Sequence, residues 1–150
     1  MMTNWFKTAG LAVALYGMAA PCARANLWRA QQIGGPQRVV IDKSQQVLRA
    51  YEGNRVVLES RVSTGRRGRE TPNGHFHAQS KSLMHYSRLY DNAPMPYSVQ
   101  IAGNYFIHGF SSVPSYPASH GCIRVPVDTA RQFYGWVRPG TPVDIVGGWR

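Results

Sequence analysis

Two Gly-Asn pairs, Gly53-Asn54 and Gly103-Asn104, constrain the fold of this chain more than any other feature. Each pair lies between two short segments rich in β-branched and aromatic residues. These flanking segments are residues 46–51 and 55–63 for the first pair, and 97–101 and 105–108 for the second. Because Gly and Asn tolerate the positive φ of a tight turn, the pattern predicts two β-hairpins.

Other segments also have strand-like patterns. Residues 38–42 and 141–146 are apolar and β-branched, and residues 74–79 alternate, with Phe76 and Ala78 on one face. His75 and His77 then share the other face, because successive strand side chains point in opposite directions. Between residues 83 and 96, we expect Pro94 and Pro96 to interrupt any regular element.

One segment has the spacing of a helix. Its apolar residues recur three or four positions apart: Val127, Ala130, Phe133, Tyr134 and Val137. Pro126 suits the entry to a helix, and Pro139-Gly140 ends it. The sequence therefore predicts a single, mostly β domain with one main helix.

The N-terminus resembles an export signal. Lys7 supplies a positive charge, residues 9–20 are apolar, and Ala23-Arg24-Ala25 is a small-residue cleavage site. We predict that residues 1–25 form a cleaved secretory signal peptide, that 26–37 are a short lead-in, and that 38–150 are the domain. The apolar run is too short for a comfortable bilayer span, so no transmembrane anchor is expected after cleavage.

The chain is basic, with 17 Lys and Arg residues against 7 Asp and Glu, and a formal net charge of +10. Such a charge favours polyanionic partners. Nucleic acid is not expected, because the chain has neither blocks of Lys and Arg nor a recognition-helix pattern. An anionic envelope polymer suits an exported protein better, although the charge alone also keeps a small domain soluble.

Signal cleavage would remove Cys22 and leave Cys122 as the only cysteine. A single thiol in an exported protein indicates a free reactive group or an intermolecular bridge. His108 and His120 both precede this thiol in sequence, and imidazole is a common activator of a cysteine nucleophile. The amide N–H groups of Gly121 and Cys122 could then bind an oxyanion, while a buried, inert cysteine is the alternative.

Six short motifs stand out in the chain. Two contain the thiol and the first histidine, Ile107-His108-Gly109 and Ser119-His120-Gly121-Cys122-Ile123-Arg124. The others are Val62-Ser63-Thr64-Gly65, Thr71-Pro72-Asn73-Gly74-His75-Phe76, Met95-Pro96-Tyr97 and Gly140-Thr141-Pro142-Val143. Together these motifs resemble the L,D-transpeptidase catalytic domain family (YkuD-like). The resemblance extends over residues 38–146 and implies a β-sandwich-like catalytic domain whose main helix follows the cysteine.

The resemblance also implies roles for individual residues. Cys122 would be the nucleophile and His108 its base, oriented by the carbonyl of Gly109. His120 and Gly121 would shape the oxyanion site, and Arg124 would hold a substrate carboxylate or brace the loop. Ser119 and Tyr97 would contribute to the substrate pocket.

The chemistry that the resemblance implies is acyl transfer on peptidoglycan stem peptides in the periplasm or cell envelope. Cys122 would attack the third residue of a tetrapeptide, release D-Ala, and form a thioester that an amine resolves as a 3→3 cross-link. Water would make the protein an L,D-carboxypeptidase, and a D-amino acid would give exchange. Attachment or release of an envelope protein would use the same first step. Carbapenems would acylate the same cysteine, and no metal or organic cofactor is implied.

Two other classes of protein are possible. His75 and His77, together with His108, His120 and Cys122, could bind zinc, but their spacing is loose and no carboxylate cluster accompanies them. A wall-binding module without activity is the second alternative, and the intact Cys, His and Arg argue against it. The role of Arg66, Arg67 and Arg69 in the Gly-rich loop is left open, because charges in such a loop are often only solvated.

Overall fold

The computed structural model describes residues 34–148 of the 150-residue chain. The predicted signal peptide and most of the lead-in lie outside the described residues. Nine strands and one helix follow in order: β1 (Gln37–Asp42), β2 (Val47–Glu52), β3 (Arg55–Arg61), β4 (Gly74–His77), β5 (Lys81–Tyr86), β6 (Pro94–Ala102), β7 (Tyr105–Phe110), β8 (Ile123–Pro126), α1 (Val127–Trp136) and β9 (Pro142–Val146). The mostly β fold with one main helix after the cysteine is confirmed for this part of the chain.

The strands form two sheets. The first sheet has the order β3-β2-β1-β9-β4, and the second has the order β5-β6-β7-β8. Both predicted hairpins are present, β2–β3 and β6–β7, with Gly53 at φ 60° and Gly103 at φ 44° in their turns. Two pairs are parallel, β1–β9 in the first sheet and β7–β8 in the second.

A single apolar core joins the two sheets and the helix. Val39, Ile41 and Leu48 enter it from the first sheet. The second sheet contributes Val99, Ile101, Ile107, Ile123 and Val125, and α1 contributes Ala130 and Phe133. Because strand side chains alternate, burial of one face of the second sheet leaves its other face free to carry polar groups.

The expectation that Pro94 and Pro96 prevent regular structure was wrong, because both lie in β6. They pair with Tyr86 and Met84 of β5, at positions where the ladder requires no N–H. The neighbouring Ser87 N–H donates to Ala93 O, and bonded and non-bonded pairs alternate in an antiparallel ladder. Both prolines therefore occupy non-hydrogen-bonded positions.

No helix among residues 34–148 has the length and apolarity that crossing a membrane would require.

Candidate active site

The parallel pairing of β7 with β8 places the candidate residues on one face. Ile107 is opposite Ile123, and His108 is opposite Arg124. Ile107 and Ile123 are fully buried in the core, so His108 and Arg124 point to the other face of the sheet. By the same alternation Cys122, which directly precedes β8, points to that face as well.

A cleft of about 310 Å³ lies on this outer face. Five residues singled out from the sequence line it: His108, Ser119, His120, Cys122 and Arg124. Tyr97 is not among the lining residues. Its backbone has a positive φ of 54°, and its ring packs edge-on against Tyr134 of α1, with 6.0 Å between ring centroids.

His108 is buried, with 4% of its surface exposed, and its Nδ1 lies 2.9 Å from the carbonyl oxygen of Gly109. A carbonyl only accepts hydrogen bonds, so Nδ1 carries the proton and Nε2 keeps a free lone pair. Burial lowers the pKa of His108 to about 4, and the nearby charges of Arg124 and His85 act in the same direction. The imidazole is therefore neutral at pH 7.

The thiol of Cys122 is free and half-buried, and its Sγ lies 3.5 Å from the carbonyl oxygen of Asn104. Burial raises the pKa of Cys122. The backbone N–H of Phe106 and the charge of Arg124 oppose this rise, because both stabilise a thiolate. The resting form of the cysteine at neutral pH is the thiol.

Gly109 allows the helix to pack closely behind the histidine. A Cβ at this position would lie 3.2 Å from the Cβ of Ala130 and 3.2 Å from the Cα of Val127. The missing side chain lets α1 approach β7 while the carbonyl of Gly109 remains free to accept from His108.

The loop before β8 is held by Ser119, which is 1% exposed. Its Oγ accepts the Gly121 N–H at 3.1 Å and donates to the Cys122 carbonyl. Gly121 has a φ of 125°, and a Cβ there would lie 3.1 Å from Tyr105. The Gly121 N–H is thus already engaged, whereas the Cys122 N–H makes no hydrogen bond to the described residues.

His120 stacks on Tyr90, with ring centroids 4.4 Å apart. The Tyr90 hydroxyl accepts from Arg69 at 3.1 Å and lies 3.4 Å from the His120 carbonyl oxygen. Partial burial lowers the pKa of His120, as do the positive charges of Arg66, Arg124 and Arg69. Tyr90 and Arg69 therefore fix the orientation of His120 at the mouth of the cleft.

Arg124 presents a guanidinium group to the cleft. It lies 4.1 Å from the centroid of the Phe110 ring, and within residues 34–148 no carboxylate forms an ion pair with it. A cation held by an aromatic face and free of a carboxylate partner is suited to bind a carboxylate of a ligand.

Sequence reasoning missed two groups in the cleft. His85 of β5 stacks on Phe106, with 4.7 Å between centroids, and the segment from Ser87 to Ala93 lines one side through Arg88 and Leu89. The pairing of β5 with β6 brings these residues to the site, and a single sequence gives no local signal for that pairing.

The candidate zinc ligands are divided between the two sheets. His75 lies on β4 of the first sheet, where its Nδ1 is 2.6 Å from Asp144, whereas His108 lies on β7 of the second sheet and Cys122 directly precedes β8. In the described part of the chain, no group of three His, Cys, Asp or Glu side chains is placed to hold a metal ion.

Comparison with known proteins identifies the family of this domain. The sequence profile described as "L,D-transpeptidase catalytic domain" (YkuD) matches residues 36–145. This chain belongs to that family. No curated protein sequence matches it significantly.

Solved structures with similar folds include an L,D-transpeptidase from Xylanimonas cellulosilytica, with 30% identity over 85% of this chain and 70% of that one, and a TM-score of 0.69. LdtMt1 in complex with imipenem has 25% identity over 73% of this chain and 58% of that one, with a TM-score of 0.67. An L,D-transpeptidase from Stackebrandtia nassauensis shares the fold at 22% identity and a TM-score of 0.70, over 75% of this chain. The chain spans only 56% of that protein's length.

Proposed function

We propose that this protein is an exported peptidoglycan L,D-transpeptidase that uses Cys122 as its nucleophile. The observation that carries the proposal is the placement of three groups in one cleft. These groups are the free thiol of Cys122, the neutral imidazole of His108 fixed by Gly109, and the unpaired guanidinium of Arg124. Acyl transfer through a thioester requires a nucleophile, a base and a group that holds the substrate in place.

In the first half-reaction, Nε2 of His108 accepts the thiol proton while Sγ of Cys122 attacks the carbonyl of the third stem residue. The developing oxyanion is stabilised by the Cys122 N–H, which has no other acceptor in the described chain. The tetrahedral intermediate then collapses, the C–N bond breaks, and His108 returns the proton to the departing amine of D-Ala. The product is a thioester on Cys122.

In the second half-reaction, a side-chain amine of another stem peptide attacks the thioester. His108 takes a proton from this amine, the C–S bond breaks, and the thiol of Cys122 is protonated again. The new amide is a 3→3 cross-link. Arg124 binds a carboxylate of the donor stem, because a guanidinium matches the geometry of that group.

A second cleft of about 430 Å³ also reaches Cys122, from the side of Arg69 and Tyr105. Leu89, Tyr90 and His120 line both clefts. Two separate routes to the sulfur of Cys122 suit a two-step acyl transfer. The donor would acylate the thiol first, and a separate acceptor would then attack the thioester.

Other acceptors would give other activities at the same thioester. Water gives an L,D-carboxypeptidase, a D-amino acid gives exchange, and an envelope protein gives attachment or release. An imipenem complex is known for LdtMt1, and we propose that carbapenems acylate Cys122 in the same way. We further propose that cleavage after Ala25 releases the protein into the periplasm or cell envelope, with Asn26 as its first residue.

The test is mass spectrometry of the products formed from a disaccharide-tetrapeptide by the protein and by its Cys122→Ala variant. We expect a 3→3 dimer and free D-Ala from the native protein only, with loss of all turnover in the variant. If the native protein produced tripeptide but no dimer, its activity would be that of an L,D-carboxypeptidase. Turnover by Cys122→Ala would refute the assignment of Cys122 as the nucleophile. If the native protein forms neither product nor thioester, the result would favour a wall-binding module.

A further inference from the structure

Thr71 is a buried threonine that the reaction scheme above does not use. It begins the Thr71-Pro72-Asn73-Gly74 motif, and only 1% of its surface is exposed. Its hydroxyl accepts the Gly65 N–H at 2.9 Å and donates to the carbonyl oxygen of Gly121 at 2.7 Å. One hydroxyl thus links the Gly-rich loop to the residue that precedes the nucleophile.

The bond to Gly121 fixes the direction of the next amide. The peptide between Gly121 and Cys122 is trans, as are all those described. In a planar trans peptide the C=O and the N–H point in opposite directions. Because Thr71 holds the carbonyl of Gly121, the N–H of Cys122 is directed away from Thr71.

The peptide requires such a restraint because glycine, the residue at position 121, does not by itself fix the backbone conformation. Glycine populates positive φ freely, and the φ of 125° is one of several accessible values. Ser119 holds the Gly121 N–H and the Cys122 carbonyl, which are the two flanking peptide units. Thr71 holds the unit between them, which carries the Cys122 N–H.

Thr71 is itself anchored. Lys43 donates from Nζ to the Thr71 carbonyl at 2.7 Å, and the loop that closes on the threonine is tight. A Cβ on Gly65 would lie 2.0 Å from the Arg69 carbonyl oxygen and 2.7 Å from the Thr71 nitrogen. The Gly-rich loop therefore approaches Thr71 closely enough for the Gly65 N–H to donate to its hydroxyl, whose own proton is donated to Gly121.

We propose that Thr71 is a positioning residue for acyl transfer: its hydroxyl orients the Gly121–Cys122 peptide so that the Cys122 N–H stabilises the oxyanion. The inference rests on the proposed function only in requiring an acyl transfer at Cys122. It does not depend on peptidoglycan as the substrate.

Thr71→Val keeps the shape of the side chain and removes both hydrogen bonds. The Gly121 carbonyl then loses its partner, and the peptide turns to find another. Loss of an oxyanion donor slows catalysis by roughly 100- to 1,000-fold, and partial misorientation should cost about 10- to 100-fold. Thr71→Ser keeps the hydroxyl and should restore most of the rate.

The test compares two reactions of the same thiol by intact-protein mass. With p-nitrophenyl acetate, Sγ attacks the ester carbonyl, an oxyanion forms, and p-nitrophenolate leaves as the thioester is made. With iodoacetamide, Sγ displaces iodide directly and no oxyanion forms. We expect Thr71→Val to slow acetylation strongly while alkylation changes by less than about twofold. The Cys122→Ala variant keeps Cys22 of the predicted signal peptide as its only thiol, so the modification that this variant loses is the one on Cys122.

Equal slowing of both reactions would show that Thr71 only supports the fold, and unchanged acetylation would show that it has no role. Failure of Thr71→Ser to recover acetylation would also overturn the proposal. If Thr71→Val does not fold, Thr71→Ala removes the same two hydrogen bonds with a smaller side chain. Neither reagent is a stem peptide. The comparison therefore tests the role of Thr71 even if the native protein forms no cross-link.

Discussion

Cys122 and His108, which line the same cleft, both rest in their neutral forms. Burial lowers the pKa of His108 to about 4 and raises that of Cys122, so each group disfavours its charged form. Many cysteine enzymes instead keep a thiolate beside an imidazolium. In the proposed reaction the proton must therefore leave sulfur as Cys122 attacks, and the free Nε2 of His108 is the group that would accept it.

This resting state predicts a late rise in thiol reactivity with pH. We expect alkylation of Cys122 by iodoacetamide to increase steadily above neutral pH, with a midpoint above the ordinary range of a thiol, because burial raises its pKa. The rate would be followed by intact mass from pH 6 to 10, with a solvent-exposed cysteine peptide as the control. A plateau below pH 7 would instead indicate a preformed thiolate.

The residues of the cleft could be predicted from the sequence where they belong to a short motif. They could not be predicted where only contacts in the folded chain bring them to the cleft. Cys122, His108 and Arg124 stand in two short motifs, and the structure places all three in one cleft. Tyr97 was expected in the pocket, but its positive φ turns the ring toward Tyr134. Neither that backbone conformation nor the approach of Tyr90 to His120 has a signature in a single sequence.

At the scale of elements, the contact between β7 and α1 supports His108, the proposed base. The helix packs on the core face of the strand, with Ala130 and Val127 directly over Gly109. The carbonyl of the same glycine accepts the bond from His108. Packing of the helix and orientation of the imidazole therefore depend on one residue.

Gly109→Ala should weaken both functions. The added Cβ would lie 3.2 Å from two atoms of α1, and overpacking of this kind costs about 1–3 kcal/mol of unfolding free energy. Acyl transfer should fall more than stability accounts for, because the strand and its carbonyl must shift. Denaturant unfolding and tetrapeptide turnover would measure the two effects.

Gly135→Ala is the matched control. This glycine lies in α1, and a Cβ there meets no atom within 4 Å. Alanine favours a helix over glycine, so this variant should gain about 0.5–1 kcal/mol with no change in turnover. Equal stability of the two variants would refute the packing role assigned to Gly109.

The strands were predictable because local chemistry determined their ends. Gly53 and Gly103 adopt the positive φ that their turns require, and the hairpins follow from it. The start of β6 was not predictable, because Pro94 and Pro96 are tolerated only through the register with β5. That register depends on residues distant from either proline, and no local pattern reports it.

For the whole molecule, the buried histidine links stability to pH. In the unfolded chain the pKa of His108 returns to its ordinary value of 6.5, and in the folded protein it is about 4. Between these values the unfolded state binds more protons, so the free energy of unfolding falls as the pH falls. The full loss is about 3 kcal/mol, reached below pH 4.

This loss should be measurable against His108→Gln, which does not titrate in that range. Urea unfolding at steps between pH 7 and pH 4 should show a steeper decline for the native protein than for the variant. Carboxylates such as Glu70, whose pKa is lowered by a backbone hydrogen bond, affect both proteins alike. Parallel curves would mean that the pKa of His108 is close to its ordinary value in the folded state.

The position of β9 determines when the protein can fold. This strand comes last in sequence among those described, yet it lies inside the first sheet, between β1 and β4. The first sheet is therefore divided until Pro142–Val146 emerges, and β4 lacks the strand with which it pairs. Pairing β1 with β9 closes a loop that spans most of the described chain. Closing so long a loop is slow compared with forming a hairpin. Whenever the chain becomes available from its N-terminus onward, as it does during synthesis, the first sheet would stay incomplete until this strand arrives.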